Sequence, residues 1–387
     1  MRVLFLTPWY PEADHIYRGV FVREHAKAVR AAGNEVVVLH LAGKSYRGRG
    51  LWRMAAESDP ALSEGIPTYR VERRSLPIPG TGGLISIWSA VRASRALRAS
   101  GFRPDLIHAS FYYGGISGYA AGKALAVPVV VTEHSTAFPL RELGRGMAAA
   151  VRFVMHRVAA VMPVCDFLQR AMEAYGVRAR FRVVPNAVDT TAFHPAARTS
   201  PRSSARRLIF VGNLEPTEHK GFPTLLDALH TLAQRRGDWH LDVVGEGPSR
   251  AEYEEKVAAS AIAGSVTFHG AVPKTRVAEM MRASDIFVMP SRFENLPCVI
   301  IEAMASGLPV VSTTVGGIPE MVTEADGILV GPGDAPALAE ALDRVLSKPE
   351  VFERSAIAAR AAARYSLEAV GSQIQAVYDE AVARTVL

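Results

Sequence analysis

Two glutamates, Glu294 and Glu302, stand eight positions apart in the segment Phe293–Glu302. The first lies in a polar loop, 290–297, where a carboxylate can accept hydrogen bonds from sugar hydroxyls. The second lies among Ile300, Ile301, Ala303 and Met304, on a helix apolar nearly all round and so expected to be buried. A buried carboxylate is costly unless it is paired or hydrogen-bonded. A ribose diol would supply two donors; a salt bridge to a nearby arginine would serve as well. Pro297 suits the first helical turn and Gly307 the C′ cap. The backbone N–H groups of about Asn295–Val299, with Leu296 among them, then stand at a helix N-terminus, a geometry that binds phosphate.

A second constellation is the segment 211–221, with Asn213 near its start and Lys220-Gly221 at its end. It follows one predicted strand and precedes the helix at Pro223. A lysine there can neutralise a diphosphate leaving group, although a loop lysine can also be merely solvated. His134 follows the strand Val129–Thr132, and Gly19 precedes the helix Val20–Ala32. Glycine at that place permits close approach of backbone to a ligand, or serves a simple turn. The stretch Gly245–Pro248, which contains Glu246, is half of a dinucleotide fingerprint: Arg250 stands where its third glycine belongs. It reads as a tight turn near the nucleotide.

These residues need strands to carry them, and the chain supplies two series. In the first half the predicted strands are Val3–Leu6, Glu35–His40, Thr68–Val71, Leu106–His108, Val129–Thr132, Ala160–Val164 and Phe181–Val184. Between them run helical stretches Val20–Ala32, Leu84–Ser100, Ser117–Leu125, Arg141–Arg157 and Asp166–Tyr175. A hinge at Pro185-Asn186 and a linker rich in Ser, Arg and Pro over Arg198–Arg207 follow. The second series has strands Leu208–Val211, His240–Val244, Val266–Phe268, Ile286–Met289 and Pro309–Ser312. Its helices are Pro223–Arg235, Ser249–Ala261, Thr275–Arg282, Pro297–Ala305 and Ala335–Ser347. Such alternation implies parallel sheets with helical crossovers. Ligands bind at the carboxyl ends of such strands, and most of the candidate residues follow a predicted strand.

The bulk properties agree with two globular domains: 387 residues, 49% hydrophobic and 21% charged. The two cysteines, far apart and in apolar runs, fit buried thiols in a reducing compartment. The initial apolar run ends at Thr7-Pro8, short of the roughly 7–15 residues of a signal peptide, and no run reaches the ~18 of a membrane span. A cytoplasmic protein is expected. Residues 1–195 carry 25 Lys and Arg against 14 Asp and Glu, whereas 196–387 carry 19 against 24. The basic first half suits an anionic partner or a solvated face. Arg141–Arg157, with Arg145, Arg152 and His156 among Leu143, Val151 and Val154, suits either an anionic membrane, where the enzyme would be peripheral, or a core-facing helix.

Together these motifs resemble the retaining glycosyltransferases of the GT-B fold, glycosyltransferase family 4, over nearly the whole chain. The most specific block is Glu302–Val311. The resemblance implies an α/β fold of two Rossmann-like doubly wound domains facing across a cleft. Residues 1–190 would bind acceptor, with the helix 366–387 packing back on them, and 196–365 would bind donor. It implies that Glu294 holds donor sugar hydroxyls, Glu302 the ribose and Lys220 the diphosphate, with the amides of Asn295–Pro297 toward donor (Pro297 itself has none) and His134 near the transferred sugar. Gly19, Asn213 and Glu246 join the donor-binding set. No metal and no cofactor are expected, because the nucleotide sugar is a substrate. Asn213 replaces a common Arg and Asn295 a common Gly, which would mark a donor subgroup. The implied partners are a nucleotide-sugar donor (UDP- or GDP-) and a glycan, lipid-linked or small-molecule acceptor in cell-surface polysaccharide or glycoconjugate synthesis, with no nucleic acid. The rival readings are a GT-B epimerase or hydrolase acting without acceptor, an NAD-dependent oxidoreductase and a non-catalytic sugar-binding protein.

Overall fold

A computed structural model describes residues 1–42, 52–74, 81–196 and 205–386. The chain divides into two compact units: residues 1–187 with 367–387, and residues 188–366.

The first unit is built on a seven-stranded sheet. Its strands are β1 (Arg2–Thr7), β2 (Glu35–His40), β3 (Trp52–Ala56), β4 (Thr68–Arg73), β5 (Leu106–Ser110), β6 (Val129–Glu133) and β7 (Ala160–Pro163), in the order β3-β4-β2-β1-β5-β6-β7. All pairs are parallel except β3–β4. The helices are α1 (Val20–Ala31), α2 (Pro60–Ser63), α3 (Thr81–Ala99), α4 (Phe111–Leu125), α5 (Arg145–Met155) and α6 (Asp166–Ala174). The central strands are apolar on both faces, as a sheet covered twice requires.

The second unit holds β8 (Arg206–Val211), α7 (Phe222–Ala233), β9 (Trp239–Val244), α8 (Arg250–Ala258), β10 (Val266–Gly270), α9 (Lys274–Ala283), β11 (Ile286–Met289) and α10 (Cys298–Ala305). It continues with β12 (Val310–Thr313), α11 (Ile318–Met321), β13 (Gly327–Val330), α12 (Ala335–Ser347) and α13 (Arg354–Tyr365). The sheet is wholly parallel, in the order β10-β9-β8-β11-β12-β13. The last helix, α14 (Leu367–Val386), returns to the first unit, where Val370, Ile374, Val377 and Tyr378 join the core of Val3, Phe5, Val22 and Val38.

Three differences from the sequence reading have physical causes, and one alternative it left open is decided. The expected strand at 181–184 forms a single bridge, Val161 to Phe181, where Arg178, Arg180 and Arg182 alternate outward just before Pro185. The helix expected from Ser117 begins at Phe111, because Gly114 and Gly115 lie within it against the sheet. The apolar residues of α5 that sequence offered to a membrane, Val151 and Val154, are buried, so that face belongs to the core. Pro297 is the N-cap of α10, one position before the helix. Of the linker expected at 198–207, residues up to 204 lie outside the described residues.

Candidate active site

In the second unit the strand order reverses between β8 and β11, since β9 and β10 lie to one side and β12 and β13 to the other. Such a switch point opens a crevice at the carboxyl ends of the strands. The loops that border it are 212–221, after β8, and 290–297, after β11.

These two loops are joined by backbone. The Arg292 N–H donates to the His219 carbonyl at 2.8 Å. Gly221, at φ 67°, lies so close to Pro290 that a Cβ would come within 1.8 Å of the Pro290 carbonyl oxygen. Positive φ and the lack of space both demand glycine. Lys220 is thereby aimed across the switch point, and its Nζ lies 2.5 Å from Glu294 Oε1. Ser291 Oγ donates to the same oxygen at 3.1 Å. The loop after β12 adds a further tie, as Gly317 N–H donates to the Asn295 carbonyl at 2.9 Å. Glu294, Asn295 and Leu296 are all buried. The helix α10 begins just past Pro297, which makes no side-chain cap, and a helix N-terminus is an end that attracts anions.

Glu302 is buried in α10 among Ile300, Ile301, Ala303 and Met304. Its carboxylate meets a cation, as burial demands. The partner is Lys274 at the start of α9, 3.3 Å away, rather than an arginine. Lys274 also stands 5.4 Å above the Phe193 ring. Asn213 is exposed on the 212–221 loop. Glu246 faces elsewhere: its carboxylate pairs with Arg250 and accepts the Ala271 N–H at 3.3 Å. The backbone of its turn instead supports the lysine loop, through Leu214 N–H to Glu246 O at 2.9 Å and Ser249 N–H to Leu214 O at 3.0 Å. The structure therefore joins Lys220 with Glu294, stands Glu302 on the adjoining helix, and gives Gly245–Pro248 a bracing role.

In the first unit the switch point falls between β1 and β5. Gly19 caps α1 at φ 71°, and a Cβ there would meet the Trp9 carbonyl oxygen at 2.5 Å. Its tight contact is with the protein's own loop. The His134 ring packs against Phe21 at 4.5 Å, Phe111 at 5.3 Å and His25 at 5.4 Å. Burial, with His25 and His108 nearby, holds its pKa well below the usual histidine value. His134 is thus a neutral imidazole, able to hydrogen-bond but not to supply positive charge.

Two features beside His134 were not singled out from sequence. Glu133 is fully buried and accepts the N–H groups of His134 and Ser135 on Oε1, at 2.9 and 2.8 Å. Burial pushes its pKa up to about 7, against the pull of those amides. Phe111 has φ 62° at the sharp turn from β5 into α4. For a bulky residue this is strained backbone, of a kind found at functional sites.

The profile for glycosyltransferase family 4 matches residues 19–192, and that for glycosyl transferases group 1 matches residues 205–348. The D-inositol 3-phosphate glycosyltransferase of Pseudarthrobacter chlorophenolicus is 30% identical over 362 residues, which cover 85% of this chain and 82% of that protein. The chain belongs to the family 4 glycosyltransferases. This glycosyltransferase is also 29% identical over 357 residues to the alpha-D-kanosaminyltransferase of Streptomyces kanamyceticus, covering 83% of this chain and 91% of that one. Among solved structures it is similar to Anabaena HepE in complex with UDP, with a TM-score of 0.76 at 21% identity, covering 98% of this chain and 100% of that one. At that identity the likeness shows the fold, which is GT-B.

Proposed function

We propose that this glycosyltransferase takes a sugar from a nucleoside diphosphate donor, UDP- or GDP-linked, and passes it with retained configuration to a glycan, lipid-linked or small-molecule acceptor. The observation that carries the reading is the Lys220–Glu294 pair at the β8/β11 switch point. Without donor, each ion neutralises the other. With donor, Lys220 would turn to the diphosphate and Glu294 to the sugar hydroxyls, while Glu302 would exchange Lys274 for the ribose diol. The leaving phosphate's negative charge would meet Lys220 and the N-terminus of α10, so no divalent metal is required in this reading.

The C1–phosphate bond breaks through an oxocarbenium-like state. The acceptor oxygen then bonds to C1 on the same face, and its proton passes to the departing phosphate oxygen. Neutral His134 suits a hydrogen bond to the uncharged sugar. A cavity of about 550 Å³ beside the loop that follows His134, lined by Phe138, Arg141, Phe167 and Arg170, is the acceptor region in this reading. HepE is described with UDP and with UDP-glucose, and a Bacillus subtilis relative is named for teichuronic acid biosynthesis. The first accords with a nucleotide-sugar donor and the second with a glycan product.

A thermal-shift panel of UDP, GDP and ADP tests the donor side, since a bound ligand raises apparent stability by mass action. One diphosphate should raise Tm, and Lys220→Met should remove its advantage over the monophosphate. Glu294→Gln should leave nucleotide binding intact while lowering kcat about 10²-fold or more, the scale of a lost transition-state contact. EDTA should leave turnover unchanged. Full transferase activity in Glu294→Ala, or no response to any diphosphate, would sink the reading.

A further inference from the structure

The edge of the first unit's sheet opposite His134 holds a cavity of about 900 Å³ that the proposed reaction does not use. It lies where β6 and β7 begin. Five chain segments converge on it: Tyr119 to Lys123 of α4, residues 126–129, residues 156–159, residues 178–180, and the last turns of α14.

Its charged lining is of one sign. Lys123, Arg157, Arg178, Arg180 and Arg384 line it with His156, and among the described residues no carboxylate does. Like charges that converge without a counter-ion repel, and the repulsion is relieved when an anion enters. Helix dipoles account for part of the cluster, because Lys123 and Arg384 stand in last turns, where cations are favoured. They do not account for Arg178 and Arg180, which lie beyond the end of α6.

These two arginines are carried on fixed backbone. Val161 N–H donates to the Arg180 carbonyl at 2.9 Å, and Arg182 N–H to the Val161 carbonyl at 3.0 Å. His156 Nδ1 lies 3.3 Å from the Arg178 carbonyl. The floor is equally constrained: at Gly122 a Cβ would come within 2.3 Å of Val129 Cγ2, so α4 and β6 touch directly beneath the cavity. Guanidinium forks match phosphate oxygens two at a time, and the volume suits a small molecule or a headgroup.

We propose that this cavity is a second, phosphate-binding site, which takes a ligand carrying at least two negative charges. Its source is either a soluble phosphorylated compound or an anionic lipid headgroup. The inference is independent of the donor reading, and its test reads no turnover.

Hydrogen exchange on the full chain, with and without inorganic pyrophosphate at low salt, is the first arm. Flotation with cardiolipin-containing vesicles, whose headgroup carries two phosphates, against phosphatidylcholine vesicles, is the second. Pyrophosphate protection at residues 122–129 and 156–182 would indicate a soluble ligand. Flotation with the anionic vesicles alone would indicate a headgroup. In either case Arg178→Ser/Arg180→Ser should weaken binding at least tenfold, and Lys123→Ser should weaken it in the same direction. Without ligand, exchange protection of β1, β5 and β6 in these variants should match the parent, which shows that the first unit remains folded. The proposal is overturned if neither probe binds, if pyrophosphate protects only 211–221 and 290–302, or if the variants bind as the parent does.

Discussion

Glu133 carries a pH dependence that can be worked through. Its carboxyl titrates near 4.5 as an ordinary glutamate and at about 7 in the fold. Between those values the folded chain keeps a proton that the unfolded chain has released, so stability falls as pH rises through that window. His25 acts in the opposite sense. Burial takes it down from 6.5 to about 4, so the unfolded chain binds the extra proton, and stability falls as pH drops through that range. Parent Tm values mix the two effects, and a difference isolates one. Glu133→Gln keeps an oxygen for the His134 and Ser135 amides but cannot ionise. Its Tm relative to the parent should therefore rise steadily from pH 5 to pH 7.5; a pH-independent difference would remove Glu133 as the cause. His134 was legible because it follows an apolar strand. Glu133 was not, since its burial depends on β6 lying between β5 and β7, and order in the sheet is not local information. The same holds for Lys274, which reaches Glu302 from another helix, and for the backbone strain at Phe111.

At the level of elements, the site depends on how the loops after β8 and β11 grip each other. Gly221→Ala tests that grip. A non-glycine residue in the left-handed region costs roughly 1–2 kcal/mol by itself, and here the Cβ would also overlap Pro290. Gly33 supplies the comparison, at φ 85° with nothing within 4 Å of a Cβ. Gly33→Ala should cost only the conformational part, whereas Gly221→Ala should cost more than about 2 kcal/mol by denaturant unfolding and also lower kcat/KM by displacing Lys220. Equal stability losses would show that the loops can part without penalty. The strands that frame these loops were readable from their apolar runs, several of them to within a residue. Those missed, β3 and β13, are edge strands at the ends of their sheets. β3 is half exposed, without the apolar run that marks a strand covered on both faces. The motif of Glu294 and Glu302 was readable for the same reason as the central strands, since it is continuous in sequence from β11 through α10.

For the whole molecule, the route of the chain decides which part can stand alone. Residues 188–366 form one continuous unit, and its ends meet: Val188 N–H donates to the Tyr365 carbonyl at 2.8 Å, and Val188 bridges Ser366. Residues 1–187 form an incomplete unit, because α14 supplies Val370, Ile374 and Tyr378 to its core and the Tyr378 hydroxyl lies 2.6 Å from His108 Nδ1. The return of the final helix was legible only as a helix with no strand after it. Burying each of those side chains contributes about 1.5–3 kcal/mol, and together they approach the whole stability of a domain, about 5–15 kcal/mol. The fragment 188–366 should therefore unfold cooperatively and keep the Tm rise produced by the preferred nucleoside diphosphate. The fragment 1–187 should show no cooperative transition by calorimetry. Joining residue 187 to residue 367 through a short Gly/Ser linker should restore one, since the missing helix then returns to its place. A cooperative transition in 1–187 alone would mean that α14 covers a core already able to form, and the last helix would then be a lid on the first unit instead of a part of it.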